Sequence, residues 1–387
     1  MSIFDEEIDR RNTGSYKWDV AKDVLPMWVA DMDFKAAPGI QEALSKRIAH
    51  GIYGYATPTE EWAEAYMDWW GTRHQLPMEK DWLIFTTGIV PAISSIVRKL
   101  TTPAEKVIVM TPTYNIFFNS IENNGRYPLE CPLHYEDGVY SIDFKLLEKL
   151  CKDPQCSLLI LCNPQNPTGN IWSREELSEL GRICYENHVV VVSDEIHCDI
   201  TLPGKDYVPF LSVSEQCREN CVMCIAPTKT FNIAGLQTAA VCIPNPVLRH
   251  KVWRGLNTDE VAEGNAFAYD VAIAAFRTGG EWLSELREYV AGNRAYAEQY
   301  IKYEIPLLKA VHGEATYLLW IDCSKITSDS WELAGEILKL TGLFVSEGCE
   351  YHGNGRYFLR MNLACPRSRV MDGMKRLKEA VLKLSEA

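Results

Sequence analysis

Three polar segments follow apolar runs of strand length. After Leu158–Cys162 comes Asn163-Pro-Gln-Asn166-Pro-Thr-Gly169; after Val189–Val192 comes Ser193-Asp194-Glu-Ile-His197; after Cys221–Ala226 comes Pro227-Thr228-Lys229-Thr-Phe-Asn232. A fourth segment, Thr86-Thr-Gly88-Ile89-Val-Pro91, opens a helix and offers free backbone N–H groups and the positive end of a helix dipole to an anion. An amine, a carboxylate, an amide and an anion site at neighbouring strand ends suit a phosphorylated aromatic aldehyde bound through an imine. Lys229 would form the imine, Asp194 would keep a ring nitrogen protonated, Asn166 would donate to a ring oxygen, and the helix start would hold the phosphate. Pyridoxal 5'-phosphate needs this division of labour.

Each residue also has a plainer reading. Asp194 could cap a helix after a strand, Asn166-Pro-Thr-Gly could be only a turn, and Lys229 could be a surface lysine. Its place between an apolar strand and Phe231 makes a solvated lysine costly. The string Cys217-Arg-Glu-Asn-Cys221-Val-Met-Cys224 has iron–sulfur-like spacing. However, Cys221 to Ala226 reads as a strand, and residues three apart on a strand face opposite sides. These are read as core cysteines. No paired histidine spacing is present, and no metal is expected.

The elements that must position these groups alternate. Lys106–Met110, Ser157–Cys162, Val189–Ser193, Cys221–Ala226 and Thr238–Ile243 are continuously apolar, as parallel strands covered on both faces are. Helical patterns lie between them. Ser173-Arg-Glu-Glu176 is a capping box, and another helix runs from about Pro91 to Leu100. This pattern predicts an α/β open sheet with ligands at the carboxyl ends of its strands. From Glu281 onward the pattern changes to that of a smaller α+β domain. It has a helix to Tyr303, strands at Thr316–Ile321, Leu343–Ser346 and Tyr357–Leu363, a helix over Trp331–Leu340 stopped at Gly342, and a last helix from Arg367.

The 387 residues carry a net charge of −13, with 47% hydrophobic and 24% charged residues. This excludes a disordered chain and argues against nucleic acid or an anionic membrane as partner. The start is acidic with no apolar segment of signal-peptide type, and no apolar run could span a bilayer. With 13 scattered cysteines, the expectation is a cytoplasmic protein in a reducing compartment.

The segments around Asn163, Asp194 and Lys229, followed by Arg360-Met-Asn362, resemble fold-type I pyridoxal-phosphate enzymes of aminotransferase class I/II. Further segments resemble a narrower branch, the carbon–sulfur β-lyases of the MalY/PatB cystathionine β-lyase type. They are Pro26-Met-Trp28-Val-Ala-Asp31-Met-Asp33-Phe34, Tyr53-Gly-Tyr55, Thr87-Gly-Ile-Val-Pro-Ala92 and Ala364-Cys-Pro-Arg367. The resemblance implies a large domain with a mostly parallel seven-stranded sheet flanked by helices. Residues 1–47 would pack with the small domain, 48–280 would bind the cofactor, and 281–387 would form the small domain. It implies that Lys229 also moves the Cα proton and that Tyr114 stacks on the ring. Gly88 and Ile89 would bind phosphate through backbone N–H groups, with Thr228 adding a hydroxyl. Arg360 would grip the substrate α-carboxylate, with Asn166 beside it. Tyr55 would reach into the partner's site, so a homodimer with shared active sites is implied.

Two positions depart from the aminotransferase pattern. Gln237 stands where many carry a phosphate-binding arginine, and His197 stands where a tyrosine is common, leaving the role of His197 open. The expected reaction is β-elimination from L-cystathionine or a related sulfur amino acid, giving a thiol, pyruvate and ammonia. The alternatives are transamination with a 2-oxo acid and, from another class, a regulatory-protein-binding role on the same scaffold.

Overall fold

Cys156–Cys162 forms the longest strand of the computed structural model, which describes residues 2–386. It is an interior strand of a seven-stranded sheet. In chain order the strands are β1 (Leu83–Thr86), β2 (Lys106–Val109), β3 (Tyr127–Glu130), β4 (Cys156–Cys162), β5 (Val190–Asp194), β6 (Cys221–Ile225) and β7 (Ala239–Cys242). Their spatial order is β1-β7-β6-β5-β4-β2-β3. Strands β3, β2, β4, β5 and β6 run parallel, whereas β7 is antiparallel to both neighbours. The apolar run at 238–243 therefore reported burial on both faces, which helices provide whatever the strand direction. The two strands not anticipated, β1 and β3, are the sheet's edges. Tyr127-Pro-Leu-Glu130 is exposed at both ends and carries a proline, tolerated at an edge but not in a central strand.

Alternation along β6 divides the core. Cys221, Met223 and Ile225 pack on one face, and Val222, Cys224 and Ala226 on the other. Cys221 and Cys224 thus point away from each other, and all thirteen cysteines are free thiols.

Cys162 pairs with Asp194, and Asp194 with Cys224. The register places the carboxyl ends of β4, β5 and β6 side by side. Thr86, at the end of β1, reaches the same edge across β7 by pairing with Ala239. The helix Ile89–Leu100 starts there, and the capping box of Ser173 and Glu176 is formed at the start of Arg174–Glu186.

After the long helix Gly280–Glu304, a four-stranded antiparallel sheet orders Lys309–Ala310, Leu318–Asp322, Phe358–Asn362 and Ser346–Glu347. The helix Ser330–Thr341 ends at Gly342, whose φ of 70° puts it in the left-handed region that glycine occupies without strain. The N-terminal strap runs along this sheet. Leu25–Pro26 pairs with Leu343–Phe344, and the Asn362 side chain donates to the carbonyls of Val29 and Asp31, each at 2.6 Å. Asn232 pins the strap from the large sheet's side, accepting from Met32 N and donating to the carbonyls of Met32 and Phe34.

The strap is anchored at Asp33, which is buried. Its carboxylate accepts from Trp18 Nε1 at 2.7 Å, Arg10 at 2.8 Å and Lys17 at 3.1 Å, with Arg369 at 3.3 Å. Burial alone would raise its pKa, but Lys17, Trp18 and Arg369 outweigh it and hold it below the usual value. Removing this carboxylate leaves the buried Lys17 only its longer contacts to Asp31, 3.5 Å to Oδ1 and 3.4 Å to the carbonyl oxygen. Asp33→Ala is expected to lower unfolding free energy by about 3–5 kcal/mol in urea titrations at pH 7. Because the folded pKa is depressed, the contribution is present above the unfolded value of about 3.9 and lost as pH falls through the folded one. Wild type and variant should therefore converge in acid.

Candidate active site

The loop after β4 is held from several sides. Gln165 donates to the carbonyls of Met110 and Pro112 at 3.1 and 2.8 Å, and Asn163 donates to Val208 O at 2.9 Å. Gly169, at φ +77°, closes it; a Cβ there would lie 2.9 Å from the carbonyl oxygen of Ala315. This frame leaves Asn166 buried with its Oδ1 accepting from Arg360 Nη1 at 3.2 Å, so its amide nitrogen is the group available as donor.

Asp194 ends β5 and is also buried. Its Oδ1 accepts from the Ile196 amide at 3.2 Å, a local bond that fixes the carboxylate without neutralising it. Burial pushes its pKa up to about 7, moderated by the Ile196 amide and the charge of Lys229. Lys229 is partly buried and donates through Nζ to Ala30 O at 2.5 Å; Tyr317 donates to the same carbonyl at 2.9 Å. Burial and then Arg360 push the lysine down to about 8, against the opposing pull of Asp31 and Asp194. His197 is buried with Nδ1 lacking a partner, and burial, Lys229 and Arg360 press its pKa down to about 3, so it is neutral.

Arg360 sits on the strand Phe358–Asn362, opposite Trp320 and Ser346. Its Nη2 donates to Trp28 O at 2.8 Å, its guanidinium lies 4.9 Å from the Tyr351 ring centroid, and its buried Nε has no partner.

Gly88, Ile89, Tyr114, Asn166, Asp194, His197, Thr228, Lys229 and Arg360 all line one cavity of about 480 Å³. Tyr55 is not brought there; it is fully exposed on the loop before the helix Glu60–Arg73. Trp28, Ala30, Ser346, Glu350 and Tyr351 line the cavity as well and were not singled out for it. The motif Pro26-Met-Trp28-Val-Ala was the available signal for the first two.

The chain matches the aminotransferase class I and II family over residues 22–377. It belongs to that family. Within the class I and II proteins it is 41% identical over 384 residues to cystathionine β-lyase PatB of Bacillus subtilis, covering 98% of this chain and 99% of that protein. It is 30% identical over 389 residues to protein MalY of Escherichia coli, with 98% and 99% covered. The structure of cystalysin from Treponema denticola, which contains a pyridoxal 5'-phosphate cofactor, matches with a TM-score of 0.96 at 35% identity, over 98% of this chain and 99% of that one.

The donor set of this class I/II cavity fits that group. A buried carboxylate whose pKa burial raises to about 7 suits a pyridinium N–H, which would draw it back to the ionised form. The free amide nitrogen of Asn166 could donate to a ring oxygen, and the Lys229 amine, with its depressed pKa, suits attack on an aldehyde. The first-turn N–H groups of Ile89–Leu100 give an anion cradle in place of a cation, since Gln237 at the cavity wall is neutral.

Another buried carboxylate lies behind the lysine loop. Asp199 accepts from His74 at 2.9 Å, Trp69 Nε1 at 3.1 Å and the Thr230 hydroxyl at 3.1 Å, with Arg73 at 3.2 Å. The lysine's neighbour Thr230 is thus tied to a rigid anionic hub. Although Cys198 lies with His74 and Asp199, the guanidinium of Arg73 already occupies Asp199.

Proposed function

We propose that this chain is a pyridoxal 5'-phosphate-dependent carbon–sulfur β-lyase acting on L-cystathionine or a related sulfur amino acid. The reading rests on one observation: Lys229, Asp194, Asn166 and Arg360 converge on one cavity in a chain 41% identical to a cystathionine β-lyase along nearly its whole length.

Asp194 would hold the ring nitrogen, Asn166 the ring oxygen, Gly88, Ile89 and Thr228 the phosphate, and Tyr114 a ring face. When bound, the coenzyme would supply an electron sink for the pair released when the Cα–H bond breaks. Arg360 binds the α-carboxylate through its planar fork and orients Cα. Lys229 Nζ takes the Cα proton, for which its lowered pKa is matched to neutral pH. A Cα=Cβ double bond then forms, the Cβ–S bond breaks, and its electron pair leaves with the thiolate. The released enamine hydrolyses to pyruvate and ammonia. Neutral His197 adds no charge beside Lys229.

In this reading residues 48–280 hold the coenzyme, 281–387 supply Arg360, and 1–47 carry the strap whose Ala30 carbonyl receives Lys229. A homodimer with shared sites is supported by the exposed apolar group of Ile48, Ile52, Tyr53 and Tyr55, with Tyr55 reaching the partner's cavity. A cytoplasmic location is supported by the free thiols, of which all but Cys349 are buried. Among the described residues no helix is long and apolar enough to cross a membrane.

The test is L-cystathionine incubated with the purified holoenzyme and no 2-oxo acid. Pyruvate, ammonia and thiol are expected in equal amounts. Amino-acid consumption only when a 2-oxo acid is added would overturn the reading in favour of transamination.

A further inference from the structure

Among the described residues the cavity is lined by two basic side chains, Lys229 and Arg360, and two carboxylates, Asp194 and Glu350. The proposed reaction employs three of these. Lys229 serves the coenzyme and the Cα proton, Asp194 the ring nitrogen, and Arg360 the α-carboxylate. Glu350 has no task in it.

Glu350 lies in the single turn Gly348–Tyr351, next to the tyrosine whose ring supports the Arg360 guanidinium. Its residue is exposed on the outer side while it lines the cavity, which places it at the mouth. Burial and Glu347 push its pKa up, and Arg360 pulls it down, so its carboxylate is within electrostatic reach of the α-carboxylate site. No hydrogen bond or counter-ion holds it among the described residues. Tyr16, which lines the same cavity, packs on Trp28 at 5.0 Å between ring centroids.

We propose that Glu350, in the cavity it shares with Tyr16 and Trp28, selects the sulfur substituent of the substrate, favouring one that carries an ammonium group over one that carries a carboxylate. The inference rests on the β-lyase reading and deepens it. With Arg360 engaged by the α-carboxylate, a second carboxylate on the substrate meets no cation of this chain and is repelled by Glu350. An ammonium group gains the charge pair and an aromatic wall suited to cations. The same arrangement disfavours amino acids whose side chain ends in a carboxylate.

Three substrates of similar size test this: S-(2-aminoethyl)-, S-propyl- and S-carboxymethyl-L-cysteine, all yielding pyruvate, assayed with the holoenzyme. kcat/KM is expected to fall in that order. In Glu350→Gln the aminoethyl-to-carboxymethyl ratio should drop by about tenfold, since an attraction and a repulsion each worth about threefold vanish together. Any general effect of the substitution cancels in the ratio. Raising the salt should compress the ratio in wild type and leave the variant's unmoved, and Glu350→Lys should invert the order. A ratio unmoved by both substitutions, or a wild-type preference for the carboxymethyl substrate, overturns the assignment of Glu350 while leaving β-elimination standing. No pyruvate from any of the three with wild type overturns the β-lyase reading itself.

Discussion

Lys229→Ala is expected to fold, to bind the coenzyme reversibly, and to lose at least about 10⁴-fold of its turnover of sulfur amino acids. Among the described residues the substitution removes the only amine lining the cavity, and it leaves the walls in place, because the strap is held independently by Asn232 and Asn362. Wild type treated with borohydride should retain the coenzyme through denaturation, and the variant should release it. A small primary amine added to the variant should restore part of the lost rate, which a folding defect would not allow. The amine's pKa sets a second expectation. At about 8, roughly one molecule in ten carries a neutral amine at pH 7, against about one in 2,500 at an ordinary lysine value of about 10.4. Since only the neutral amine attacks an aldehyde, coenzyme uptake by apoenzyme should quicken about tenfold per pH unit below pH 8 and level off above it. Undiminished turnover in the alanine variant would remove Lys229 from the chemistry.

The groups that could be read from the chain are those whose position follows from local order. Lys229, Asp194 and Asn166 each stand just beyond a buried strand, and three adjacent parallel strands necessarily bring their carboxyl ends together. The capping box at Ser173 and the stop at Gly342 are equally local. What could not be read depends on contacts across the chain. Ala30 receives Lys229 through its backbone carbonyl, which no residue type advertises, across 199 positions. Tyr317 and Tyr351 were two among 18 tyrosines, and only the fold puts one on that carbonyl and the other under Arg360. The direction of β7 was illegible because four consecutive buried residues carry no sign of which way the chain runs. Tyr55 is the converse case: the motif is plain, yet one chain alone leaves the side chain in solvent.

Asp194→Asn should slow turnover by about a hundred- to a thousandfold, the range seen when one preorganised electrostatic partner is removed from a transition state. Asparagine matches the shape of aspartate and accepts the same Ile196 amide, so the variant tests charge alone. In the proposed reaction the carboxylate would keep a ring nitrogen protonated; without it the ring would draw electrons from Cα less strongly, and proton abstraction should slow while substrate binding through Arg360 persists. The loss should appear in kcat, with a larger deuterium isotope effect for substrate labelled at Cα and little change in substrate affinity. Apoenzyme stability should move the other way. The folded pKa of Asp194 is raised to about 7 by burial, so the folded chain holds this proton more tightly than the unfolded one. Wild-type apoenzyme therefore loses stability between about pH 4 and pH 7 as the buried group ionises. Asparagine removes that cost, and the variant apoenzyme should exceed wild type by a few kcal/mol in urea at pH 8, converging with it near pH 4. In the holoenzyme the advantage should shrink, because a cationic ring nitrogen compensates the buried charge in wild type alone. A residue that weakens the empty protein and strengthens the loaded one has the energetic profile of a cofactor ligand. Equal stability of the two apoenzymes at pH 8, together with unchanged kcat, would mean that the carboxylate is compensated by the chain itself and has no part in the electron sink.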